Sequence, residues 1–272
     1  MSTTGPAAAR LDLAAYLARI GLPGPPRADA GGLSALHRAH ATHIPFENLD
    51  ILLGRSIKLD LDSLQSKLVE NRRGGYCFEH NLLFAEALRH TGFDVTMLCA
   101  RVRYRASAPM ARTHMLLRVD LAGARWLADV GFGAEGLLDP IPYDSDAPVR
   151  QGPWTYRVVR EGPLYVLQSL RQRAWIDLYA FTEEAQLPID YEVANHFTST
   201  HPDSRFVRTL FVQTVSTEAR CALHNRDLVV DRGDVVTTTG GLDDDALLDA
   251  LDRTFGLTFP SATRFRCPGL DR

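Results

Sequence analysis

The chain has 272 residues with a formal net charge of −3, and 45% of them are apolar and 23% charged. This composition is typical of a globular protein that buries a sizeable core, and it argues against a nucleic-acid-binding protein, which usually carries a basic face. No apolar run approaches the roughly 18 residues that a membrane-spanning helix needs, so neither nucleic acid nor a membrane is expected as a partner.

Residues 1–90 predict a helical bundle. Apolar side chains recur at helical spacing over residues 11–20 and again over residues 33–42. An aspartate can cap a third helix over SLQSKLVEN. A Gly-Gly pair then precedes CFEHNLLFAEALRH, which is apolar nearly all round and therefore typical of a buried helix.

From residue 95 the pattern changes to short strands. Segments rich in valine, leucine and aromatic residues alternate with turn signals such as Ala122-Gly123. The six predicted strands are VTMLCARVRY, HMLLRVDL, RWLADVGF, WTYRVVR, LYVLQSL and AWIDLYAF. Residues 95–181 are therefore interpreted as an antiparallel sheet or barrel.

The last part of the chain combines a short helix over residues 191–197, four short strands and a final helix, DDDALLDALDRTF. The three aspartates suit the positive N-terminal end of a helix dipole. The predicted fold class is therefore α+β, with an N-terminal helical bundle (1–90), a central antiparallel β-barrel (91–190) and a C-terminal α/β lid (191–272).

The segment RRGGYCFEHN carries the strongest candidate for chemistry. Its glycine turn brings Cys77 to the first position of a buried helix, where unpaired N–H groups and the helix dipole stabilise a thiolate. Cysteines placed in this way can have pKa values lowered to roughly 3.5–7.5, and the preceding Arg72 and Arg73 favour the same shift. The alternative is a small residue packed in the core.

Cysteine usage indicates a reducing compartment. The four cysteines are scattered without a CxxC pair, which argues against the usual zinc spacing and against a dense disulfide framework. The opening stretch MSTTGPAAAR has no charged segment followed by an apolar run, so no secretory signal is expected. We therefore expect a cytoplasmic protein in which at least one thiol can serve chemistry.

A cysteine nucleophile needs a base, and the base needs an orienting partner. His114 opens a predicted strand whose hairpin mate holds Asp129. A two-residue turn at Ala122-Gly123 would place Leu116 opposite Asp129. His114 would then be one diagonal step away on the same face, whereas a three-residue loop would place it on the opposite face. A buried aspartate is costly without a partner, and a histidine N–H is a natural one.

The other histidines near these motifs are open to simpler explanations. His80, one helical turn from Cys77, is either a local partner or a packed side chain. His37, His40 and His43 have a spacing compatible with metal ligands on a helix face, but no carboxylate or cysteine cluster joins them. Capping or surface positions are expected for these three, and no metal site is predicted.

Three motifs resemble the triad motifs of the arylamine N-acetyltransferase family, in the same order. They are Cys77 in RGGYCFEHN, His114 in THMLLRV and Asp129 in DVGFG. LHRAHATHIPFENLD (36–50) resembles the N-terminal signature of the family, and NHFTSTHPDSRF (195–206) resembles the segment that joins its barrel to its lid. The resemblance implies the family's fold, in which bundle, barrel and lid accompany a cysteine-protease-like triad core.

The same resemblance implies a ping-pong acetyl transfer. Cys77 would accept the acetyl group of acetyl-CoA as a thioester, and CoA would leave before an aromatic amine or hydrazine enters. His114 would hold Cys77 as a thiolate–imidazolium pair and then take the proton of the amine, while Asp129 would orient His114. Acetyl-CoA is thus the expected co-substrate, and no metal cofactor is expected.

The resemblance also implies contacts for both substrates. The predicted walls of an aromatic slot for the acceptor are Phe46, Phe132 and Phe206, although each is equally well explained as a core residue. Gly131 and Gly133 would let the backbone approach the pantetheine or pyrophosphate of CoA, with a β-bulge as the alternative. The run RVRYR, residues 101–105, either meets CoA phosphates or forms a solvated strand face.

Three other functions keep part of this pattern. A thiol hydrolase or transglutaminase-like enzyme shares the Cys-His-Asp order but would cleave peptides or esters without exchanging thioesters with CoA. An amide synthase of macrolactam biosynthesis keeps the triad but takes a long acyl chain from a carrier protein. A catalytically inactive binding module has no need for all three residues.

Overall fold

The computed structural model describes residues 10–270, so most of the MSTTGPAAAR stretch lies outside the described residues. Within that range, five helices and a two-residue strand form the N-terminal part. In chain order these elements are α1 (Leu13–Arg19), α2 (Ala30–His43), β1 (Phe46–Glu47), α3 (Leu49–Leu52), α4 (Leu61–Leu64), which continues as a π-helical segment (Gln65–Glu70), and α5 (Cys77–His90).

Side-chain caps explain where several of these helices begin. The carboxylates of Asp12, Asp29 and Asp60 accept hydrogen bonds from backbone N–H groups in the first turns of α1, α2 and α4. Such caps satisfy an N–H group that has no partner inside the helix. Ten of the 14 residues of α5 are buried, in agreement with its nearly all-round apolar sequence. This helix packs against α1, α2 and α4.

The middle of the chain forms an eight-stranded antiparallel sheet that closes almost completely into a barrel. Its spatial order is β5-β4-β3-β2-β9-β8-β7-β6. In chain order the strands are β2 (Asp94–Val102), β3 (Arg112–Leu121), β4 (Ala124–Ala128), β5 (Ile141–Pro142), β6 (Val149–Gln151), β7 (Trp154–Glu161), β8 (Leu164–Arg171) and β9 (Ala174–Phe181). All six strands predicted from the sequence are present. The barrel also contains two short strands, β5 and β6, that the sequence did not predict.

The hairpin of β3 and β4 has the register that a two-residue turn dictates. Leu121 pairs with Ala124 and Leu117 with Ala128, so continuing the register places Leu116 opposite Asp129. Both turn residues have positive φ, as a type I′ turn requires. One expectation was wrong: Asp129 does not lie inside the strand, because β4 ends at Ala128 and the chain then leaves the sheet.

The chain after the barrel forms a helical connection and a second sheet. The elements are α6 (Pro188–Thr200), α7 (Arg205–Arg208), β10 (Phe211–Val215), β11 (Arg220–His224), β12 (Asp227–Asp231), β13 (Val236–Thr239) and α8 (Asp244–Phe255). The helix predicted over residues 191–197 is longer at both ends. It starts at Pro188 because proline fits the first helical position, where its missing N–H is not needed.

The second sheet takes one strand from the N-terminal part of the chain. Its order is β1-β10-β11-β12-β13, and Phe46 of β1 pairs with Gln213 of β10. The N–H of Glu47 also donates to the carbonyl of Gly75, at 2.7 Å. A two-residue strand has no periodic pattern, so the sequence does not reveal it. The pairing joins Phe46 and the glycine turn before Cys77 to the second sheet.

The observed architecture confirms the predicted α+β fold class of helical bundle, antiparallel barrel and lid. The helices described between residues 10 and 270 include none with the length and apolar character needed to cross a membrane.

Candidate active site

Cys77 is the first residue of α5, as predicted, and its side chain is buried. Tyr76 is the N-cap, and its backbone N–H donates to the Glu79 carboxylate at 3.0 Å. The Cys77 Sγ lies 3.7 Å from the carbonyl oxygen of Thr113, the residue before His114. The start of the helix therefore places the thiol against β3, at the residue that precedes the predicted base.

The loop that follows β4 packs directly on the same turn of helix. A Cβ atom added to Gly131 would lie 2.8 Å from the Cys77 Cα and 2.9 Å from the Cys77 carbonyl oxygen. These distances are shorter than any ordinary van der Waals contact, so no larger residue fits without displacing the backbone. Contact with α5 is therefore sufficient to explain why this position is glycine.

His114 and Asp129 form the hydrogen bond that the hairpin register predicts. The distance from His114 Nε2 to Asp129 Oδ2 is 2.7 Å, and both side chains are buried. The second oxygen, Oδ1, accepts hydrogen bonds from Asn81 Nδ2 and from the N–H of Gly131, each at 3.0 Å. The Nδ1 atom of His114 is not engaged by the carboxylate.

The environment of Asp129 keeps its carboxylate charged. Burial alone would raise the pKa, but attraction to His114 together with the hydrogen bonds from His114, Asn81 and Gly131 outweighs it, and the pKa of Asp129 is lowered. An ionised carboxylate that accepts a hydrogen bond from Nε2 fixes the tautomer and the orientation of the imidazole.

Two further side chains hold Asp129 in place, and the sequence did not identify either. Asn81 donates from Nδ2 to the Met115 carbonyl at 2.7 Å and accepts from the Val130 N–H at 3.2 Å. His37 Nε2 accepts from the Asp129 N–H at 3.1 Å, so its Nδ1–H donates to the Leu138 carbonyl at 2.9 Å.

His37 therefore has a different role from the expected capping or surface position. It is fully buried, and burial lowers its pKa, so the ring is neutral. For Asn81 the sequence did hold a signal. It is four residues after Cys77, one turn along the same helix face.

Aromatic rings fix the imidazole of His114 from two sides. Its ring centroid is 5.0 Å from that of Phe132 and 4.8 Å from that of Tyr179. Tyr179 is on β9, far away in sequence, and no motif pointed to it. The packing leaves the imidazole little freedom to rotate away from Asp129.

The pKa of Cys77 differs from the expectation. Burial raises it, and the nearby Asp129 charge adds to the rise, while hydrogen bonding from the Met115 and Phe78 backbone lowers it less. Arg73 does not act on the thiol, because its guanidinium pairs with Glu47 at 2.6 Å and with Asp50 at 3.4 Å. The thiol therefore needs a base that accepts its proton before a thiolate can form.

Four of the five residues predicted to contact the substrates lie beside Asp129 or His114. A narrow cavity of about 30 Å³ is lined by Phe46, Phe132 and Gly133 together with Asp129. Phe206 is not part of that lining, but its ring centroid is 6.0 Å from that of Phe46. Gly133 has a φ of +65°, which favours glycine. A cavity of this size holds about one or two waters and is too small for an aromatic ring.

His80 is not hydrogen-bonded to Cys77 but belongs to a buried chain of neutral groups. His80 Nε2–H donates to the Pro45 carbonyl at 3.1 Å, and its Nδ1 accepts from His40 Nε2–H at 2.9 Å. The hydroxyl of Tyr16 donates to His40 Nδ1 at 2.8 Å. His40 was expected in a capping or surface position, but it is fully buried.

None of the His, Cys, Asp and Glu side chains described between residues 10 and 270 form a group of three or more suited to a metal ion. The imidazoles of His37 and His40 bond to protein groups through both ring nitrogens.

A buried thiol at a helix start, an imidazole and a carboxylate are the groups of a cysteine-nucleophile enzyme, here carried by a helical bundle and a barrel. A sequence model of the N-acetyltransferase family matches residues 29–264. The chain is 42% identical over 254 residues to the arylamine N-acetyltransferase of Mycolicibacterium smegmatis, which covers 91% of this chain and 92% of that protein.

Solved structures give the same result. The M. smegmatis enzyme superposes with a TM-score of 0.87 at 42% identity, over 91% of this chain and 92% of that one. The arylamine N-acetyltransferase of Mycobacterium marinum in complex with CoA has a TM-score of 0.86 at 35% identity, over 90% and 93% of the two chains. The chain belongs to the arylamine N-acetyltransferase family.

Proposed function

We propose that the protein transfers an acetyl group from acetyl-CoA to an aromatic amine or hydrazine through a thioester on Cys77. The observation that carries this proposal is the 2.7 Å hydrogen bond from His114 Nε2 to Asp129 Oδ2, on the strand that also meets the Cys77 thiol. Membership of the family and the CoA complex of the M. marinum relative support acetyl-CoA as the donor.

The first half-reaction starts with proton transfer from Cys77 to His114. Because burial disfavours the thiolate alone, thiolate and imidazolium form together as an ion pair that Asp129 stabilises. The thiolate attacks the acetyl carbonyl of acetyl-CoA, and the bond to the CoA sulfur breaks. The imidazolium returns its proton to the departing CoA thiolate, so CoA leaves as a thiol.

The second half-reaction reverses these roles. The amine nitrogen attacks the thioester carbonyl, and His114 accepts the proton that the nitrogen loses. The bond from the carbonyl carbon to Cys77 Sγ breaks, and the thiolate is regenerated beside the imidazolium. The oxyanion at each step needs preorganised donors, and the N–H of Cys77 at the start of α5 is the first candidate.

Binding of the two substrates is assigned to the wall beside the triad. We propose that Phe46, Phe132 and Phe206 contact the aromatic acceptor, since they lie within ring contact of each other or of His114. Gly131 and Gly133 are proposed to face the pantetheine or pyrophosphate of CoA. Contacts within the protein also restrict both positions to small residues: Gly131 packs on Cys77, and Gly133 packs on the Phe46 ring.

We also propose a cytoplasmic location and free small molecules as partners. The sparse cysteines and the net charge of −3 support this, since a basic face for nucleic acid is not expected at that charge. The alternatives of an amide synthase, a thiol hydrolase and an inactive binding module gain no support from the relatives, which are named arylamine N-acetyltransferases.

Steady-state kinetics test the proposal. Acetyl-CoA is varied at several fixed concentrations of a hydrazine such as hydralazine, and parallel double-reciprocal lines are expected for a ping-pong cycle. Cys77→Ser should be inactive, and Cys221→Ser, a half-buried cysteine on β11, serves as the matched control. Intersecting lines, or turnover by Cys77→Ser, would contradict the mechanism.

A further inference from the structure

The peptide unit between Gly75 and Tyr76, just before the start of α5, is held at both of its polar ends. Its carbonyl oxygen accepts from the N–H of Glu47 at 2.7 Å, and its N–H donates to the Glu79 carboxylate at 3.0 Å. The turn also packs tightly on that carboxylate, because a Cβ atom added to Gly75 would lie 2.7 Å from Glu79 Oε2. The strand β1 and the helix α5 therefore fix this peptide together.

The next peptide unit carries the N–H of Cys77, the proposed oxyanion donor. Its carbonyl oxygen, on Tyr76, accepts from the N–H of His80 in the first turn of α5, at 3.0 Å. A trans peptide is planar, so the direction of its N–H is set by its carbonyl and by the peptide that precedes it. The groups that hold the Tyr76 N–H therefore help to set the direction of the Cys77 N–H.

Lys67, in the π-helical segment, joins this arrangement through both its side chain and its backbone. Its Nζ atom lies 2.7 Å from Glu79 Oε1 and 2.8 Å from Asp50 Oδ2, and its carbonyl accepts from the N–H of Arg73 at 3.0 Å. Only 17% of the Lys67 side chain and 2% of the Glu79 side chain are exposed. One residue thus contacts the carboxylate that caps α5 and the backbone that leads into the glycine turn.

The buried Glu79 carboxylate depends on a cation to stay charged. Burial raises the pKa of Glu79, and the positive charge of Lys67 and its hydrogen bond act against that rise. A hydrogen bond to an ionised carboxylate is roughly twice as strong as one between neutral groups. Lys67 therefore favours the form of Glu79 that holds the Tyr76 N–H most firmly.

We propose that Lys67 and Glu79 are positioning residues for acyl transfer, which orient the Cys77 N–H toward the oxyanion of each half-reaction. This inference rests on the proposed function. The hydrogen bonds of Glu79 go to Lys67 and Tyr76, and those of Lys67 go to the carboxylates of Glu79 and Asp50. The two side chains therefore act on Cys77 through the backbone.

Precision at this donor matters because an oxyanion is stabilised only by donors about 2.7–3.1 Å from the position where it forms. A small rotation of the Tyr76–Cys77 peptide changes that distance while the thiol can stay in place. Loss of the Lys67–Glu79 pair should therefore affect reactions that form an oxyanion and spare those that do not.

Three variants test the assignment: Lys67→Met, Glu79→Gln and, as a control with the same charge change at an exposed position, Lys58→Met. Glu79→Gln leaves one amide oxygen for two donors, the Lys67 ammonium and the Tyr76 N–H. A fourth variant, Glu79→Asp, keeps the charge on a side chain one methylene shorter and is the milder change should the first two not fold. Cooperative urea unfolding identifies the variants that are folded under the assay conditions.

Two reactions of Cys77 are compared by rapid quenching and peptide mass spectrometry. Acetylation by acetyl-CoA or by p-nitrophenyl acetate passes through an oxyanion, whereas iodoacetamide loses iodide from a saturated carbon and forms none. We expect Lys67→Met and Glu79→Gln to lower the acetylation rate constant by about 10- to 100-fold and the alkylation rate constant by less than about twofold. Glu79→Asp should lower acetylation selectively by at least about threefold. Lys58→Met should match the wild type in both reactions.

A loss in alkylation as large as the loss in acetylation would overturn the proposal, because it would show a displaced thiol or a damaged fold. Acetylation at the wild-type rate in the folded Lys67 and Glu79 variants would overturn it as well. If acetyl-CoA does not acetylate the wild type, the proposed function fails, and the inference is judged on p-nitrophenyl acetate alone. If that ester does not acetylate wild-type Cys77 either, the inference fails too.

Discussion

The Cys77 thiol is buried, and its burial raises the pKa where a helix start was expected to lower it. In the mechanism proposed above, reactivity at neutral pH depends on proton transfer to His114, not on the thiol by itself. That proposal gives Asp129 the decisive role, because its carboxylate is held charged and accepts a hydrogen bond from His114.

Asp129→Asn tests that dependence. The amide cannot supply the negative charge, and its NH2 group would face either the donor His114 or the two donors Asn81 and Gly131. We expect a loss of about 10²- to 10⁴-fold in kcat/KM, by analogy with triad variants elsewhere. Alkylation of Cys77 by iodoacetamide should also become slower and shift to higher pH. An unchanged rate and pH profile would show that Asp129 is not the orienting group.

At the level of elements, the close approach of the loop after β4 to the start of α5 assembles the site. Gly131 is the contact point, since an added Cβ would lie 2.8 Å from the Cys77 Cα. The hairpin places Asp129 and the helix places Cys77, but the glycine lets the two elements meet. The position of Asp129 relative to Cys77 therefore depends on this backbone contact.

Gly131→Ala should displace the loop and lower stability by about 1–3 kcal/mol through overpacking. We expect kcat/KM to fall even under conditions in which the variant is fully folded, because the displaced loop moves Asp129 relative to His114. Urea unfolding and kcat/KM are measured together. Gly24→Ala is the matched control, since its added Cβ meets nothing within 4 Å. Wild-type activity and stability in Gly131→Ala would contradict the packing argument.

The sequence alone predicted the helices and strands that have a periodic apolar pattern. It also predicted the site residues that lie within long motifs. The glycine turn before a buried helix made Cys77 a candidate. The pairing of His114 with Asp129 was one of two outcomes that the turn length left open, and the structure has the two-residue turn that permits it. His37 and Tyr179 were missed because each reaches the site from a distant segment. Such contacts depend on tertiary packing, which produces no periodic pattern in the sequence.

At the level of the whole molecule, a cluster of buried charges connects the loop after Asp129, the barrel and the lid. Glu135 accepts from Arg171 of β8 at 2.7 Å and from Arg220 of β11 at 3.0 Å. Arg220 also lies 3.8 Å from the ring of Trp154. The three-part division into residues 1–90, 91–190 and 191–272 stays a prediction.

Glu135→Gln should cost about 2–4 kcal/mol, because it leaves the buried Arg220 with weaker compensation from Asp231, at 3.9 Å. The free energy of unfolding in urea is the measurement. In the control Glu161→Gln, which breaks a half-exposed pair with Arg103, the loss should stay within about 1 kcal/mol. Equal losses in the two variants would contradict a structural role for the cluster.

The buried neutral histidines make stability depend on pH. Burial lowers the pKa of His80 to about 4, and His37 and His40 are lowered in the same direction. The unfolded chain binds these protons near pH 6.5, so it holds more protons than the folded state between about pH 6.5 and 4. The free energy of unfolding therefore decreases as the pH is lowered through that window. For His80 alone the decrease is on the order of 3 kcal/mol.

Urea unfolding at about pH 7 and about pH 5 measures this loss, which should be clear before most carboxylates are protonated. His43→Gln, at an exposed position, is the control for the substitution of a histidine. A stability that is flat between the two pH values would contradict the neutral state of the three buried rings.

The central claim is a covalent acetyl-enzyme on Cys77, and intact-protein mass spectrometry tests it most directly. The protein is mixed with acetyl-CoA and then with hydralazine, alongside Cys77→Ser. We predict one added acetyl group in the wild type, located on Cys77, absent from the variant and lost when hydralazine is added. No adduct with acetyl-CoA, or an adduct that persists in Cys77→Ser, would contradict the account.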